Sequence, residues 1–352
     1  MRKKLKIAQI APLWFSIPPR KYGGTERIIS YLTEGLTLKG HQVTLFASGD
    51  SRTKAKLVSV IEKGLIEKGI PWHDWWWNNF NFSVAFEKAN NFDLLHCHWN
   101  ILGANFQRFV KTPVLHTFHN IPSKKDCRWK IFEYYKEDLN AVFISHAEKR
   151  NCPLDIKKSW VIYNGIPVEE FKFNPHPKNH FIWIARVSKA KGIENAILAA
   201  EKTNSELLLA GQIQPMLEDY FKKEIQPRLT DKIKYIGEIS HSQLSNFYGQ
   251  ARACLYPIEW EEPFGLVMVE AMACGTPVIA FDRGSVREII KDGKTGFVVK
   301  DVNEMIKAMK MVDRIDRREC RKWVENNFTV EKMVDAYEKL FYQIIESHQR
   351  EN

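Results

Sequence analysis

Apolar runs of strand length alternate with amphipathic stretches of helix length along the whole chain. In the first half the short runs cover 5–11, 42–47, 93–98, 113–119, 141–145 and 160–163. They are rich in Val, Ile and Phe and nearly free of charge, as strands covered on both faces must be. Residues 25–39, closed by Gly40, predict a helix between the first two. Strand, helix, strand in that order implies a parallel sheet, because a crossover helix must return the chain to the starting edge. A second series predicts strands over 181–185, 206–210, 234–236, 253–257 and 277–281, with helices over 192–202, 216–228, 242–250 and 267–274. The tail, 302–312, 317–326 and 330–348, reads as helical. Residues 165–179 hold three prolines and little periodicity, so the join between the two series is placed there.

The fold class predicted is α/β, with two Rossmann-like doubly wound domains facing a central cleft. The N-terminal domain takes 1–165, a linker 166–179 and the C-terminal domain 180–330. The last helix, 331–352, is expected to cross back to the N-terminal domain; 330–348 alone would span ~28 Å. Open α/β sheets bind ligands at the carboxyl ends of their strands, so both sheets should present that edge to the cleft.

At 352 residues the chain exceeds what one core usually organises, which supports two domains. Its 44% hydrophobic and 27% charged residues are those of a soluble globular protein, and no apolar run nears the ~18 residues of a membrane span. Residues 1–6 have the basic character of a signal peptide. The apolar stretch after them is broken by Gln9 and Pro12 and lacks a small-residue cleavage site, so it is read as a buried strand. The six cysteines show no CxxC spacing and suit reduced thiols in the cytoplasm. The net charge of +10 falls almost wholly in residues 1–170, which carry +9, against +1 in 171–352. That asymmetry points to an anionic partner: an acidic acceptor, or a membrane surface touched peripherally at its inner face. No nucleic-acid-binding motif accompanies the charge, so nucleic acid is not expected.

The densest candidate chemistry lies in 262–278. Glu262 precedes a Pro-Phe-Gly turn, and Glu270 follows eight positions on, across an apolar stretch ended by Gly275 and Pro277. Eight residues make just over two helical turns, so both carboxylates can face one cleft at different depths. They bracket a helix start, where free N–H groups favour anions. Such a place suits a phosphorylated, polyhydroxylated ligand. Tyr22, Gly23 and Gly24 follow the first strand and open the first helix, a second backbone cradle for phosphate. No GxGxxG occurs, which disfavours a dehydrogenase-type dinucleotide site. Arg186 ends a strand and Lys191 starts the next helix, a pair able to clamp a diphosphate and neutralise a departing nucleotide.

His98 and His119 end strands of the first domain. His96 and His98 share a strand face, but no carboxylate stands beside them, so no metal is expected. Residues 71–82 hold four Trp and two Phe, a cluster fit for a sheet flank, a sugar ring, a flat heterocycle or a membrane interface.

In order along the chain these residues resemble the retaining glycosyltransferases of family four, with the GT-B fold. The likeness rests on the glycine loop, Thr117-Phe118-His119, Tyr163-Asn164-Gly165-Ile166, Arg186 with Lys191-Gly192, Ile236-Gly237 and Glu262…Glu270 followed by Ala-Met-Ala-Cys-Gly-Thr-Pro-Val. It implies hexosyl transfer from a nucleoside-diphosphate sugar with retention at the anomeric carbon and no required metal or other cofactor. Carried over, the resemblance gives His119, Arg186, Lys191 and Glu262 as the catalytic group. Gly23, Gly24, Gly237, Phe264, Gly265, Leu266, Val267 and Glu270 join the donor site, with Glu270 on the ribose and the backbone near Gly237 at the base. Tyr22, Trp75, His98 and Trp99 are candidates for the acceptor. Residues 18–27 and 40–51 are further similar to UDP-glucose–tetrahydrobiopterin glucosyltransferases, implying UDP-glucose as donor and a pterin as acceptor. The alternatives are a membrane-associated transferase acting on a lipid or cell-surface polysaccharide precursor, a phosphorylase or epimerase, and a non-catalytic sugar-nucleotide-binding module.

Overall fold

The structure is a computed structural model and describes residues 3–21, 23–71, 74–98, 102–121 and 128–351. Two compact units emerge from it: residues 1–165 with 330–352, and residues 166–329.

The first unit is built on seven parallel strands: β1 (Lys6–Ile10), β2 (Gln42–Phe46), β3 (Lys56–Val58), β4 (Leu94–Cys97), β5 (Val114–Phe118), β6 (Asn140–Phe143) and β7 (Lys158–Val161). Their order across the sheet is β3-β2-β1-β4-β5-β6-β7. The chain grows one way from β1 and then the other way from β4. Between those two strands lies the switch point, where connections diverge to opposite faces and leave a crevice. Helix Gly24–Leu38 crosses from β1 to β2. The C-terminal helix Val330–Glu351 packs on it closely, because a side chain at Gly35 would strike Val334. Lys39 and His41 both bond Glu338, and Tyr337 Oη lies 3.0 Å from Thr117 on β5.

The second unit repeats the plan with β8 (His180–Ile184), β9 (Glu206–Ala210), β10 (Ile233–Tyr235), β11 (Ala253–Tyr256), β12 (Val278–Phe281) and β13 (Gly296–Val299), ordered β10-β9-β8-β11-β12-β13 and all parallel. Its switch point lies between β8 and β11. The central strands are buried on both faces, which is why they read as continuous apolar runs.

Three features depart from the sequence expectation. The edge strands β3 and β13 were not foreseen: they are only three and four residues long, and β3 opens with a lysine. The helix expected over 216–228 is broken into short 3-10, α and π turns. Pro227 lacks an N–H and its ring crowds the carbonyl four residues back, so the chain widens ahead of it. The proline-rich 166–179 stretch, expected as the linker, packs with the second unit. Phe171 is buried, and Asn174 bonds the Cys274 and Gly249 carbonyls. Five cysteines, 97, 152, 254, 274 and 320, are free thiols. Among the described residues no helix is long and apolar enough to cross a membrane.

Candidate functional site

In the second unit β8 delivers Arg186 two residues past its end, and β11 delivers Glu262 six residues past its own. The two loops touch through glycine. Gly192 has φ +70°, and a Cβ there would stand 1.8 Å from the Pro257 carbonyl oxygen, so no other residue permits this approach. The Glu259 N–H donates to Ala190 O at 2.9 Å, and Asn195 Nδ2 donates to the Glu259 carboxylate at 2.7 Å. From the other side Ser285 N–H donates to Glu262 O and Ser285 Oγ to Phe264 O. Glu262 is thus placed by a pinned loop.

The helix begins only at Leu266, so the expected two-turn relation between Glu262 and Glu270 does not hold; only Glu270 is placed by helical geometry. The helix ends as read: Gly275, at φ +85°, donates to Met272 O, and Thr276 N–H returns to Ala271 O.

The Glu262 side chain is 9% exposed, and its Oε2 accepts three hydrogen bonds: Lys191 Nζ at 2.9 Å, Tyr256 Oη at 2.7 Å and Trp260 Nε1 at 3.1 Å. Lys191 Nζ also sits 4.5 Å from the centre of the Trp260 ring, in cation–π contact. Arg186 is half-buried, and its Nε, with the Oγ of neighbouring Ser188, is buried without a hydrogen-bond partner among the described residues. Orphaned donors of this kind are costly unless a ligand completes them. Glu270 is buried and accepts from Tyr248 Oη at 2.8 Å; burial and that carboxylate push the Tyr248 phenol well above its ordinary range. Gly237 follows β10 at φ +79° with open space around it, and its carbonyl accepts from Gly211 N–H. Leu266 and Val267 are half-buried in the first helical turn. The Phe264 side chain is buried edge-on against Phe328, so only its backbone is left for a ligand.

The first unit repeats the device. Helix Gly24–Leu38 starts at Gly23, φ +140°, where a Cβ would press on Pro19 at 2.8 Å. The helices that start at Gly23, Gly192 and Gly265 all lack a capping side chain, whereas Ser145, Asp301 and Asp316 cap helices elsewhere. In each unit the first-turn N–H groups after these glycines are therefore left without a capping side chain. Glu26 lies buried in the first turn after Gly23, and burial raises its carboxyl to about 7.

Beside β1, His98 Nε2 meets the buried Gln9 Oε1 at 2.5 Å, and its Nδ1 lies 3.4 Å from His119 Nε2. With Gln9 Oε1 as the acceptor, His98 would carry its proton on Nε2 and accept one from His119 Nε2–H; the opposite amide orientation reverses both roles. Burial lowers His96 and His98 well below the usual range, and His119 to about 4, so all three are neutral at pH 7. His96 bonds Thr117, and its ring lies 4.0 Å from that of His98. Among the described residues no group of three potential ligands is placed to hold a metal ion. Trp75 is half-buried against the cluster of Leu13, Trp14, Ile61 and Leu65. Tyr22 and Trp99 lie outside the described residues.

Sequence reading missed Gln9, Ser188, Tyr248, Tyr256 and Trp260. Tyr256 and Trp260 flank the carboxylate motif, but their spacing carries no period that would aim them at Glu262. Gln9 had a signal, as an uncharged polar residue inside an otherwise apolar strand.

Residues 168–329 match the family Glycosyl transferases group 1, and residues 22–170 match Glycosyltransferase Family 4. This chain is a glycosyltransferase of the GT-B fold. An uncharacterized glycosyltransferase of Methanocaldococcus jannaschii is 26% identical, with 94% of each chain covered. Among solved structures, sucrose-phosphate synthase from Thermosynechococcus elongatus superimposes with a TM-score of 0.81 at 22% identity, over 98% of this glycosyltransferase and 100% of that chain. Anabaena HepE, solved with UDP and glucose, gives 0.75 at 17% identity, over 96% and 100%. These two likenesses speak for the fold.

Proposed function

We propose that this glycosyltransferase moves a hexose from a nucleoside-diphosphate sugar to an acceptor hydroxyl, with retention at the anomeric carbon and without a catalytic metal. UDP-glucose is the proposed donor; the UDP and glucose held by the HepE neighbour agree with that choice. One observation carries the reading: Arg186, Lys191 and two uncapped, glycine-started helices converge where β8 and β11 end, at the switch point of the second sheet.

In this reading Arg186, through its unpartnered Nε, and Lys191 hold the diphosphate. The helix starts at Gly265 and Gly192 direct N–H groups to the remaining phosphate oxygens. Departure of the nucleoside diphosphate builds negative charge on phosphate, which these groups stabilise, so no acid has to protonate the leaving group. Glu262 Oε2 is engaged by three donors, which leaves Oε1 to accept from sugar hydroxyls. Glu270 accepts from the ribose, and Gly237 stands at the base. Gly23 and Gly24, at the helix start of the first unit, are a second candidate cradle for phosphate. His119 of the first unit, kept neutral by burial, is able to bond a sugar hydroxyl.

The deciding experiment is a thermal-shift screen against UDP-glucose, other UDP-, GDP- and ADP-sugars, UDP and NAD. A ligand at ~100 times its dissociation constant adds ~2.7 kcal/mol of stability. A shift with one nucleotide family fixes the donor, and the anomeric configuration of the product then tests retention. No shift with any nucleotide sugar, in folded protein, sinks the reading.

A further inference from the structure

Glu270 stands on one helix, but its carboxylate is aimed from another. Helix Leu266–Ala273 fixes where the side chain starts, and the rotatable bonds beyond leave open where the carboxylate points. Tyr248 supplies the missing constraint. It lies buried in the last turn of helix His241–Gln250, and its Oη donates to Glu270 Oε2 at 2.8 Å. A buried phenol needs an acceptor, but a backbone carbonyl would satisfy it equally. Meeting a buried carboxylate instead, Tyr248 holds one of the two oxygens and so fixes the direction of the other.

Both ends of this bond are anchored by a third helix, Arg317–Asn327. Arg317 Nη2 donates to Gly249 O and Thr276 Oγ1 at 3.0 and 2.8 Å, and its Nη1 donates to Ala251 O at 3.0 Å. Thr276 Oγ1 in turn donates to the Tyr248 carbonyl at 2.7 Å. Arg321, one turn on, donates from Nη1 to Ala273 O at 2.9 Å, at the end of the Glu270 helix. The planar, always-charged guanidinium suits such fixed forks of carbonyls. The last turns of the Tyr248 and Glu270 helices are thus tied to two side chains of one helix, and the span from phenol to carboxylate is set by backbone. This rigidity matters for a ligand hydroxyl. A fixed acceptor is left unpaired when the hydroxyl is missing, which is costly, whereas an acceptor free to turn finds another donor.

We propose that Tyr248 is a positioning residue for the nucleotide ribose: by holding Glu270 Oε2 it makes the site select a ribonucleotide over its deoxy forms. The proposal rests on the reading of Glu270 as the ribose ligand. Calorimetric titration measures UDP, GDP and ADP and their 2′-deoxy and 3′-deoxy counterparts against the wild type, Tyr248→Phe, Glu270→Gln and the double variant. The wild type is expected to bind at least one diphosphate more tightly than a deoxy counterpart by about ten-fold or more, the worth of a hydrogen bond to a charged group. Tyr248→Phe, which removes one oxygen atom from a packed ring, should lose most of that preference while binding the deoxy form as the wild type does. Acting through Glu270, it should cost nothing further in the double variant beyond Glu270→Gln alone. A merely structural role would weaken ribose and deoxy nucleotides alike and would add to Glu270→Gln; either result overturns the proposal, as does a preference that survives in Tyr248→Phe. Should Tyr248→Phe fail to fold in urea titration, Thr276→Val, which unties the Tyr248 carbonyl and leaves the phenol, is measured in its place by the same criterion. A wild type that binds no diphosphate would remove the donor reading and this proposal with it, whereas binding with an unchanged ribose preference in the variant would remove the proposal and leave the donor site standing.

Discussion

Replacing Lys191 by Met and Glu262 by Gln, singly and together, is expected to reveal a coupling of about 2 kcal/mol between them. Lys191 Nζ lies 2.9 Å from Glu262 Oε2, with the two side chains only 15% and 9% exposed. Removing one partner of a fully buried pair costs ~3–5 kcal/mol, because a desolvated charge is left alone. Two features lower that figure here. Lys191 keeps some contact with water, and Tyr256 and Trp260 still donate to Glu262 when the ammonium is gone. The double variant leaves neither charge unpaired, so its loss should fall short of the sum of the single losses by the coupling energy. Urea unfolding at neutral pH measures all four proteins, in low and high salt. A pair this sheltered is screened little by salt, whereas an exposed one is screened almost wholly. Coupling below ~0.5 kcal/mol, or coupling that vanishes in salt, would refute the view of the two as a desolvated unit. The same proteins test function: if Lys191→Met keeps the full thermal shift with the donor, Lys191 does not hold the diphosphate.

Trp260 serves both members of that pair, donating to Glu262 and lying beneath Lys191. Trp260→Phe keeps the ring and loses the N–H, so turnover should fall about ten-fold, the worth of one hydrogen bond to a charged group; Trp260→Leu, losing both contacts, should fall further in steady-state kinetics. Stability in urea should be greatest near pH 6.5. Below it the unfolded chain protonates His96, His98 and His119 while the folded chain, with all three lowered, does not, so stability falls towards pH 4. From about 4.5 up to their raised values of about 7 and about 8, Glu26 and Glu148 stay protonated in the folded chain while they are ionised in the unfolded one, so their contribution falls as pH rises, and once the histidines no longer oppose it above pH 6.5 stability declines towards pH 8. His119→Asn should flatten the acid limb and Glu148→Gln the alkaline limb, and limbs unchanged in both would refute the assignment.

The sequence alone determined the number and kind of sheets. A strand buried on both faces cannot carry charge, so β1, β4, β8, β11 and β12 announce themselves as apolar runs, and the helix-length segments between them force parallel pairing. It also marked Gly23, Gly192 and Gly265 as backbone punctuation and Glu262 as the centre of candidate chemistry, because glycine and proline act through local dihedrals that need no partner. It could not see β3 and β13, which are too short to stand out from the loops beside them. Nor could it place Tyr256 and Trp260 on Glu262, Gln9 on His98, or Tyr248 on Glu270. Each of those depends on two segments distant in sequence, or on a loop with no period, arriving at one place. Only the pinned loops and the strand order fix that, since a hydrogen bond is decided to within a few tenths of an ångström and a hydrophobic pattern only to within a face.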